Sequence, residues 1–265
     1  MASDIDLSDK VVVVTGGARG IGRAIAETFL TAGCDVVVCG RHDPGTHHLP
    51  AAAGRRATFV TADVRDAEQA AAVVHAAVER HGRLDVLVNN AGGSPAVPAV
   101  EASPRFFAGV VALNLLAPFY CAQAANAAMQ RSPEGGVVLN IGSVSGMRPS
   151  PGTAAYGAAK AGLLNLTRTL AIEWAPKVRV NCVVAGMIAT EAADDHYGGS
   201  AGLAAVAATV PLGRMGTPSD VADACLFLAS PLAGYVSGAA LEVHGGGESP
   251  PFLSALEQIS GPPPA

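Results

Sequence analysis

The sequence predicts a doubly wound α/β domain: a parallel sheet of about seven strands with helices on both faces. Three observations carry this expectation. Short β-branched runs alternate with longer apolar-periodic segments, the order of strand–helix–strand crossovers. The runs are apolar at almost every position, as strands covered on both faces should be. Near the N-terminus a strand, a glycine-rich turn and a helix follow one another, which is the order of a phosphate site. With 265 residues, 50% of them hydrophobic and 15% charged, the chain is long and apolar enough for a full core. Residues 1–247 read as one domain, and 248–265, with a short amphipathic patch and a Pro-rich end, as a partly disordered tail.

Val11 to Val14 is the first strand and ends in Thr15. Gly16, Gly17, Arg19, Gly20, Ile21 and Gly22 then lead into a helix through Ile25, Phe29 and Leu30 to Gly33. The glycines let the backbone approach a pyrophosphate, and the helix start offers free N–H groups and a positive dipole end. The second strand, Asp35 to Cys39, is followed by Gly40, Arg41 and His42. In dinucleotide sites an acid at this strand end binds the adenosine ribose, whereas a basic residue accommodates a 2′-phosphate. Arg41 holds that corner, and Asp43 lies beyond it before Pro44. The pattern favours NADP over NAD, with Arg41 and Arg19 as the clamp; a plain surface charge is the other reading of Arg41.

Pro44, Gly45, Pro50 and Gly54 break the next crossover, which should be short or irregular. Ala57 to Ala62 is the third strand. Asp63 and Val64 at its end either meet the adenine edge or simply lead into a helix. Asp66 with Gln69 predicts a capping-box-like start to an Ala/Val helix ending near Gly82. Leu84 to Val88 is the fourth strand, and Asn89, Asn90, Ala91 and Gly92 follow it at the carboxyl edge, where ligands bind; a mere turn is the alternative. A helix from Pro104 to Met129 carries Asn114 among apolar neighbours, where a buried amide needs partners, as a structural bridge or as part of a polar relay.

Gly136 to Ile141 is the fifth strand and delivers Ser143 to the same edge. Tyr156 and Lys160 are four residues apart, one helical turn, in an Ala- and Leu-rich segment predicted helical from Ala154 to Ala175 with Thr153 as its cap. An ammonium about 4 Å from a phenolate is worth roughly 4 kcal/mol at an effective dielectric of about 20. That would bring a tyrosine down toward neutrality as a proton donor. The pair alone also fits an ordinary exposed helix face. Val178 to Val184 is the sixth strand, followed by Gly186, Ile188 and Thr190 and then about twenty residues of Ala, Gly and Asp without strand character, a candidate lid. A helix from Ser219 to Ala229 and a strand from Ala239 to Val243 complete the domain.

A net charge of −5 disfavours nucleic acid as a partner. Five cysteines scattered through apolar runs read as buried hydrophobes in a reducing compartment. The seven histidines show no metal spacing, so no metal is expected. The N-terminus has no apolar signal core and no stretch holds about 18 uninterrupted apolar residues, which points to a soluble, cytoplasmic protein with no membrane contact.

Together, Thr15-Gly16 with Gly20 and Gly22, Asp63, Asn89-Asn90-Ala91-Gly92, Asn114, Ser143 and Tyr156 with Lys160 resemble the short-chain dehydrogenase/reductase family in its single-domain form of about 250 residues, 3-oxoacyl reductases among them. Val180-Asn181, Pro211-Leu212-Gly213-Arg214 with Gly216 and Pro218, and Gly238 with Gly245-Gly246 extend the match over residues 8 to 246. The resemblance implies a Rossmann-type fold and an NAD(P)-dependent ketone or secondary-alcohol oxidoreductase. It implies that Tyr156 exchanges a proton with the substrate oxygen and Ser143 polarises the carbonyl. Lys160 would bind the nicotinamide ribose and lower the tyrosine pKa, and Asn114 would hold a water of the proton relay. Gly186, Ile188 and Thr190 would border the nicotinamide. The chain departs from the family pattern in three places: Ala185 stands where Pro is usual, His244 where Asp is frequent, and the tail is long.

The resemblance also implies a homotetramer joined through helices four and five and the last strand, with Ala158, Ala159, Ala161 and Gly162 permitting close approach. A non-catalytic nucleotide-binding sensor or scaffold is the competing class; it would often have lost Ser143, Tyr156 or Lys160. An isomerase or dehydratase fits less well, lacking a larger substrate domain. The expected pocket walls, residues 94–100, 145–152 and 187–210, look apolar with few fixed charges. They lean toward an apolar ketone, with a 3-oxoacyl thioester as rival; Asp194 and Asp195 near the mouth would repel anions mildly.

Overall fold

The computed structural model describes residues 5–248 except residue 192 and residues 194–196. Seven strands make one sheet: β1 (Val11–Thr15), β2 (Asp35–Gly40), β3 (Thr58–Thr61), β4 (Val86–Asn89), β5 (Gly136–Ser143), β6 (Val178–Ala185) and β7 (Ala240–Val243). Their order is β3-β2-β1-β4-β5-β6-β7, and every pairing is parallel. The chain first builds outward from β1 to β3 and then returns to the other side of β1 with β4. That reversal opens a crevice at the carboxyl ends of β1 and β4, where ligands of such sheets bind.

The uniformly apolar strands are explained by two cores. Val12, Val14, Val36, Val38, Val86 and Val88 face α1 (Gly20–Thr31) and the helix Pro218–Ala229, packing on Ile25, Phe29, Val221 and Cys225. Val11, Val13, Val37 and Leu87 face the opposite way, onto α2 (Ala67–His81) and the later helices. Alternate residues of a strand point to opposite faces, so a sheet buried on both sides needs an apolar residue at each position. All five cysteines are buried within these layers.

The connection between β2 and β3 is irregular, as its prolines and glycines require: a single 3-10 turn at Thr46–His48 and a minimal hairpin of Ala51–Ala52 with Arg55–Arg56. The Pro104–Met129 stretch is helical throughout but not uniformly so. It runs as α3 (Pro104–Val111), a π turn at Ala112–Leu116 and α4 (Ala117–Met129). Pro118 accounts for the wide turn, since it has no N–H to give the Asn114 carbonyl four residues earlier. This stretch is apolar enough by length and composition to cross a bilayer, with mean hydropathy 1.5, yet Ala117, Cys121, Ala122, Ala125 and Met129 bury its inner face against the sheet.

The helix α5 (Ala154–Glu173) begins at Thr153 as expected, but the Thr153 hydroxyl turns to Ser150 and does not cap it. The segment after Thr190, expected to lack strand character, contains α6 (Gly199–Thr209). Gly198 sits just before it in the left-handed region with φ 79°, where glycine is favoured. The helix Pro218–Ala229, α7, carries a full capping box between Thr217 and Asp220. The expectations placed on Asp194, Asp195 and the tail beyond Glu248 fall outside the described residues.

Candidate active site

The crevice is built around Thr15. Its hydroxyl accepts the backbone N–H groups of Asn90 and Ala91, each at 3.0 Å, which pins the loop after β4 to the end of β1. The Asn90 side-chain amide donates to the Thr15 carbonyl at 2.8 Å. Asn90 therefore braces the glycine turn; its amide is already spent on backbone. A Cβ on Gly22 would overlap that amide and the Gly16 carbonyl, so glycine is required there. The N-cap residue of α1, Arg19, makes no side-chain capping bond, and no acid occupies the first turn. The first N–H groups of α1 are thus left for a ligand, which fits a dinucleotide pyrophosphate. Ile21 packs against the core below, and Thr190 reaches over the turn, its Cγ2 3.7 Å from where a Gly20 Cβ would be.

At the end of β2, Arg41 is exposed, as is Arg19, and neither side chain makes a hydrogen bond or ion pair among the described residues. Asp63 binds the Arg65 guanidinium, which holds its carboxyl below the usual range. Its N–H donates to the Gln69 side chain at 2.9 Å, so Gln69 serves Asp63 and not the capping box expected with Asp66. Asp66 caps α2 alone, accepting from Glu68 and Gln69 N–H. Val64 is buried beside it.

The reacting groups converge from three elements. Ser143 ends β5, Tyr156 and Lys160 lie on α5, and Asn114 lies on the π turn. The Ser143 side chain lies close enough to the Tyr156 phenol to favour its ionised form. Lys160 is buried, and its Nζ donates to the Ile141 carbonyl at 2.7 Å. The ammonium lies 5.5 Å from the centroid of the Tyr156 ring, a cation–π arrangement and not a contact with the hydroxyl. The expected lowering of the tyrosine by the ammonium is therefore not what the protein shows. Burial pushes the Tyr156 phenol up, and the Ser143 side chain offsets part of that rise. Burial also pulls Lys160 down to about 8, which leaves it protonated at neutral pH.

Asn114 is fully buried, and its amide is committed. Oδ1 accepts the Gly93 N–H, and Nδ2 donates to the Gly93 and Val110 carbonyls, all at 2.9 Å. Of the two readings of this residue, the side chain is the bridge. Measured from where a Gly92 Cβ would be, Asn114 Oδ1 is 2.8 Å away and Lys160 Nζ 3.4 Å, so the β4 loop, the π turn and α5 meet at one point. Behind it, Asn89 bonds Asn140 at 2.9 Å and Asn140 bonds Thr167 at 2.9 Å, a buried chain that ties β4 and β5 to α5.

The Ser143 loop is seated by Gly146, where a Cβ would come within 2.7 Å of the Lys160 backbone. Past β6, Gly186 lies against His244, and Ile188 bridges to Gly216, so this loop is held in place even with Ala185 before it. His244 pairs with Glu242. The pocket walls differ from expectation in one respect. They carry a charged pair, Arg148 with Glu248, and a second phenol, Tyr197, whose hydroxyl lies 3.4 Å from Met187 Sδ. Neither was signalled by spacing, because each partnership joins residues distant in sequence.

The comparisons agree with this geometry. A family model described as enoyl-(acyl carrier protein) reductase matches residues 16–248. An uncharacterized oxidoreductase of Mycobacterium tuberculosis is 39% identical over 243 residues, covering 91% of this chain and 92% of that one. The L-rhamnose 1-dehydrogenase (NAD(P)(+)) of Azotobacter vinelandii is 37% identical over 248 residues, covering 91% and 97%. The crystal structure of a short-chain dehydrogenase/reductase, glucose/ribitol dehydrogenase, from Brucella melitensis superposes with TM-score 0.81 at 31% identity, covering 91% of this chain and 98% of that chain. With its parallel seven-stranded Rossmann-type sheet and the serine, tyrosine and lysine gathered at the carboxyl edge, the chain belongs to the short-chain dehydrogenase/reductase family of NAD(P)-dependent oxidoreductases.

Proposed function

We propose that the protein is an NADP(H)-dependent oxidoreductase that interconverts a ketone and a secondary alcohol, with Tyr156 as general acid and base. The observation that carries this reading is the convergence of Ser143, Tyr156 and Lys160, the ammonium 5.5 Å from the Tyr156 ring centroid, at the edge that also presents the uncapped start of α1. When bound, the nicotinamide supplies or accepts the hydride. The glycine turn, with Gly16, Gly20, Ile21 and Gly22, would hold its pyrophosphate. Asp63, Val64, Asn90, Ala91 and Gly92 would border the adenosine half, and Gly186, Ile188 and Thr190 the nicotinamide half. Two exposed guanidiniums without partners among the described residues, Arg19 and Arg41, support a 2′-phosphate and hence NADP.

In reduction, Ser143 donates a hydrogen bond to the substrate oxygen while Tyr156 delivers the proton; in oxidation Tyr156 takes it back. Lys160, cationic at neutral pH, would hold the ribose hydroxyls. Asn114 acts through its carbonyl, which Pro118 leaves without an α-helical donor and which is suited to hold a relay water. A binding protein without turnover has no use for this convergence.

A homotetramer in the cytoplasm completes the reading. Ala158 and Ala161 on α5 face outward, whereas Ala159 is buried and Gly162 packs on Leu115. Phe107 and Leu116 near α4, and Leu232 and Tyr235 before β7, are large exposed apolar side chains of the kind subunit contacts cover. The test is a panel of ketones and 3-oxoacyl esters with NADPH and with NADH, following absorbance loss. Turnover with NADPH ahead of NADH is expected. Equal or faster rates with NADH would overturn the cofactor assignment.

A further inference from the structure

We propose that Ser150 is a positioning residue for the oxidoreduction: its hydroxyl, bonded on one side to Thr153 and on the other to Ser145, sets where the Ser143 hydroxyl stands against Tyr156. The inference rests on the reading of Ser143 as the group that polarises the carbonyl, and deepens it. Ser143 ends β5 and Tyr156 lies in the first turn of α5. The placement of one against the other therefore depends on how the loop of residues 144–153 between them is closed.

Side chains close it. The Ser150 hydroxyl donates to the Ser145 hydroxyl at 3.1 Å and lies 2.6 Å from that of Thr153. A hydroxyl has one proton to give. With that of Ser150 given to Ser145, the short contact is Thr153 donating to Ser150, and the bonds run in one direction from Thr153 through Ser150 to Ser145. All three residues are half-buried, where water competes less and each bond polarises the next. Thr153 is the N-cap residue of α5, a place where a threonine cap is worth about 1 kcal/mol. Its hydroxyl makes no capping bond and turns instead to the loop, with the Ser150 carbonyl 3.3 Å away as well. A group that local structure would spend on the helix is spent on closing the loop.

The chain of hydroxyls ends beside the serine of the site. The Ser145 N–H donates to the Ser143 hydroxyl at 3.2 Å. That oxygen is thus occupied as an acceptor and keeps its own proton for a substrate carbonyl. Holding Ser145 in place therefore aims Ser143. Glycine lets the loop rest directly on the helix: a Cβ on Gly157, the residue after Tyr156, would lie 2.9 Å from the Ser145 carbonyl oxygen and 3.4 Å from the Ser150 Cβ. That contact is close but not directional, and the Ser150 hydroxyl supplies the direction. A displacement of about 1 Å in a reacting group costs up to about 10²-fold in rate.

The test uses the full-length enzyme and the ketone of the panel that it reduces fastest with NADPH. Ser150→Ala and Ser145→Ala should each lower kcat about tenfold with KM for NADPH unchanged, melting curves showing both variants folded. Ser150→Thr, which keeps the hydroxyl, should restore the wild-type kcat. In a Ser143→Ala background Ser150→Ala should cost nothing further, because its effect runs through Ser143, whereas a merely structural role would carry the full loss over. Wild-type kcat in both alanine variants, no recovery in Ser150→Thr, or the same tenfold loss in the Ser143→Ala background would overturn the proposal and leave the oxidoreductase reading standing. Ser143→Ala with wild-type kcat would overturn the polarising role and this inference with it, and no reduction of any ketone in the panel would overturn the oxidoreductase reading as well.

Discussion

Lys160→Met should stabilise the protein at neutral pH while abolishing its chemistry. The ammonium is buried, and burial lowers its pKa from 10.5 to about 8. That difference corresponds to about 3 kcal/mol of folding stability lost whenever the lysine is charged in the folded state. The sign follows from proton counting. Between about 8 and 10.5 the unfolded chain binds the proton and the folded one does not, so stability rises with pH across that window. Below about 8 the whole cost is present, and above 10.5 it is gone. Methionine has nearly the same shape and no charge, but it cannot donate to the Ile141 carbonyl, which returns about 1 kcal/mol of the gain. A net gain of about 2 kcal/mol, or roughly 5 °C in Tm for a chain of this size, is expected at pH 7. Thermal unfolding of both proteins at pH 7 and at pH 10.5 measures it, and the gap should close at the higher pH. A variant that melts lower at pH 7, or a gap that ignores pH, would refute the reasoning.

Tyr156→Phe should lower kcat by a factor of about 10² to 10⁴ with little change in NADPH affinity, checked by steady-state rates beside cofactor titration. Arg41→Ala should weaken NADPH binding about tenfold and leave NADH unchanged, read from fluorescence titration with each cofactor. Asn114→Ala removes the partner of the Gly93 N–H and of the Gly93 and Val110 carbonyls and should cost about 2 kcal/mol in urea unfolding, with activity falling beyond the fraction unfolded.

Much of this was legible in the chain. Strand positions followed from β-branched runs because a sheet buried on both faces admits almost nothing else, and the glycine turn followed from the close approach that Gly22 makes to Asn90 and Gly16. What stayed hidden depended on partners distant in sequence or on geometry finer than periodicity. The π turn had one sequence signal, Pro118 after Asn114, and it passed for an ordinary helix position. The tyrosine pKa was misjudged because helical spacing brings two side chains together without saying which atoms meet; here the ammonium faces the ring. Helix α6 was not read because its stretch of Ala and Gly was marked only by the absence of strand character. Arg148 and Glu248, one hundred residues apart, leave no pattern at all.

Hydride transfer to the carbonyl carbon, with Tyr156 as the proton donor, is tested most directly with NADPH carrying deuterium on the transferable C4 position. Mass spectrometry of the alcohol formed from a reduced ketone should find one deuterium on the carbinol carbon with the wild-type enzyme, and Tyr156→Phe should form almost none of that product. Alcohol formed without the label, or formed equally well by the phenylalanine variant, would contradict the account.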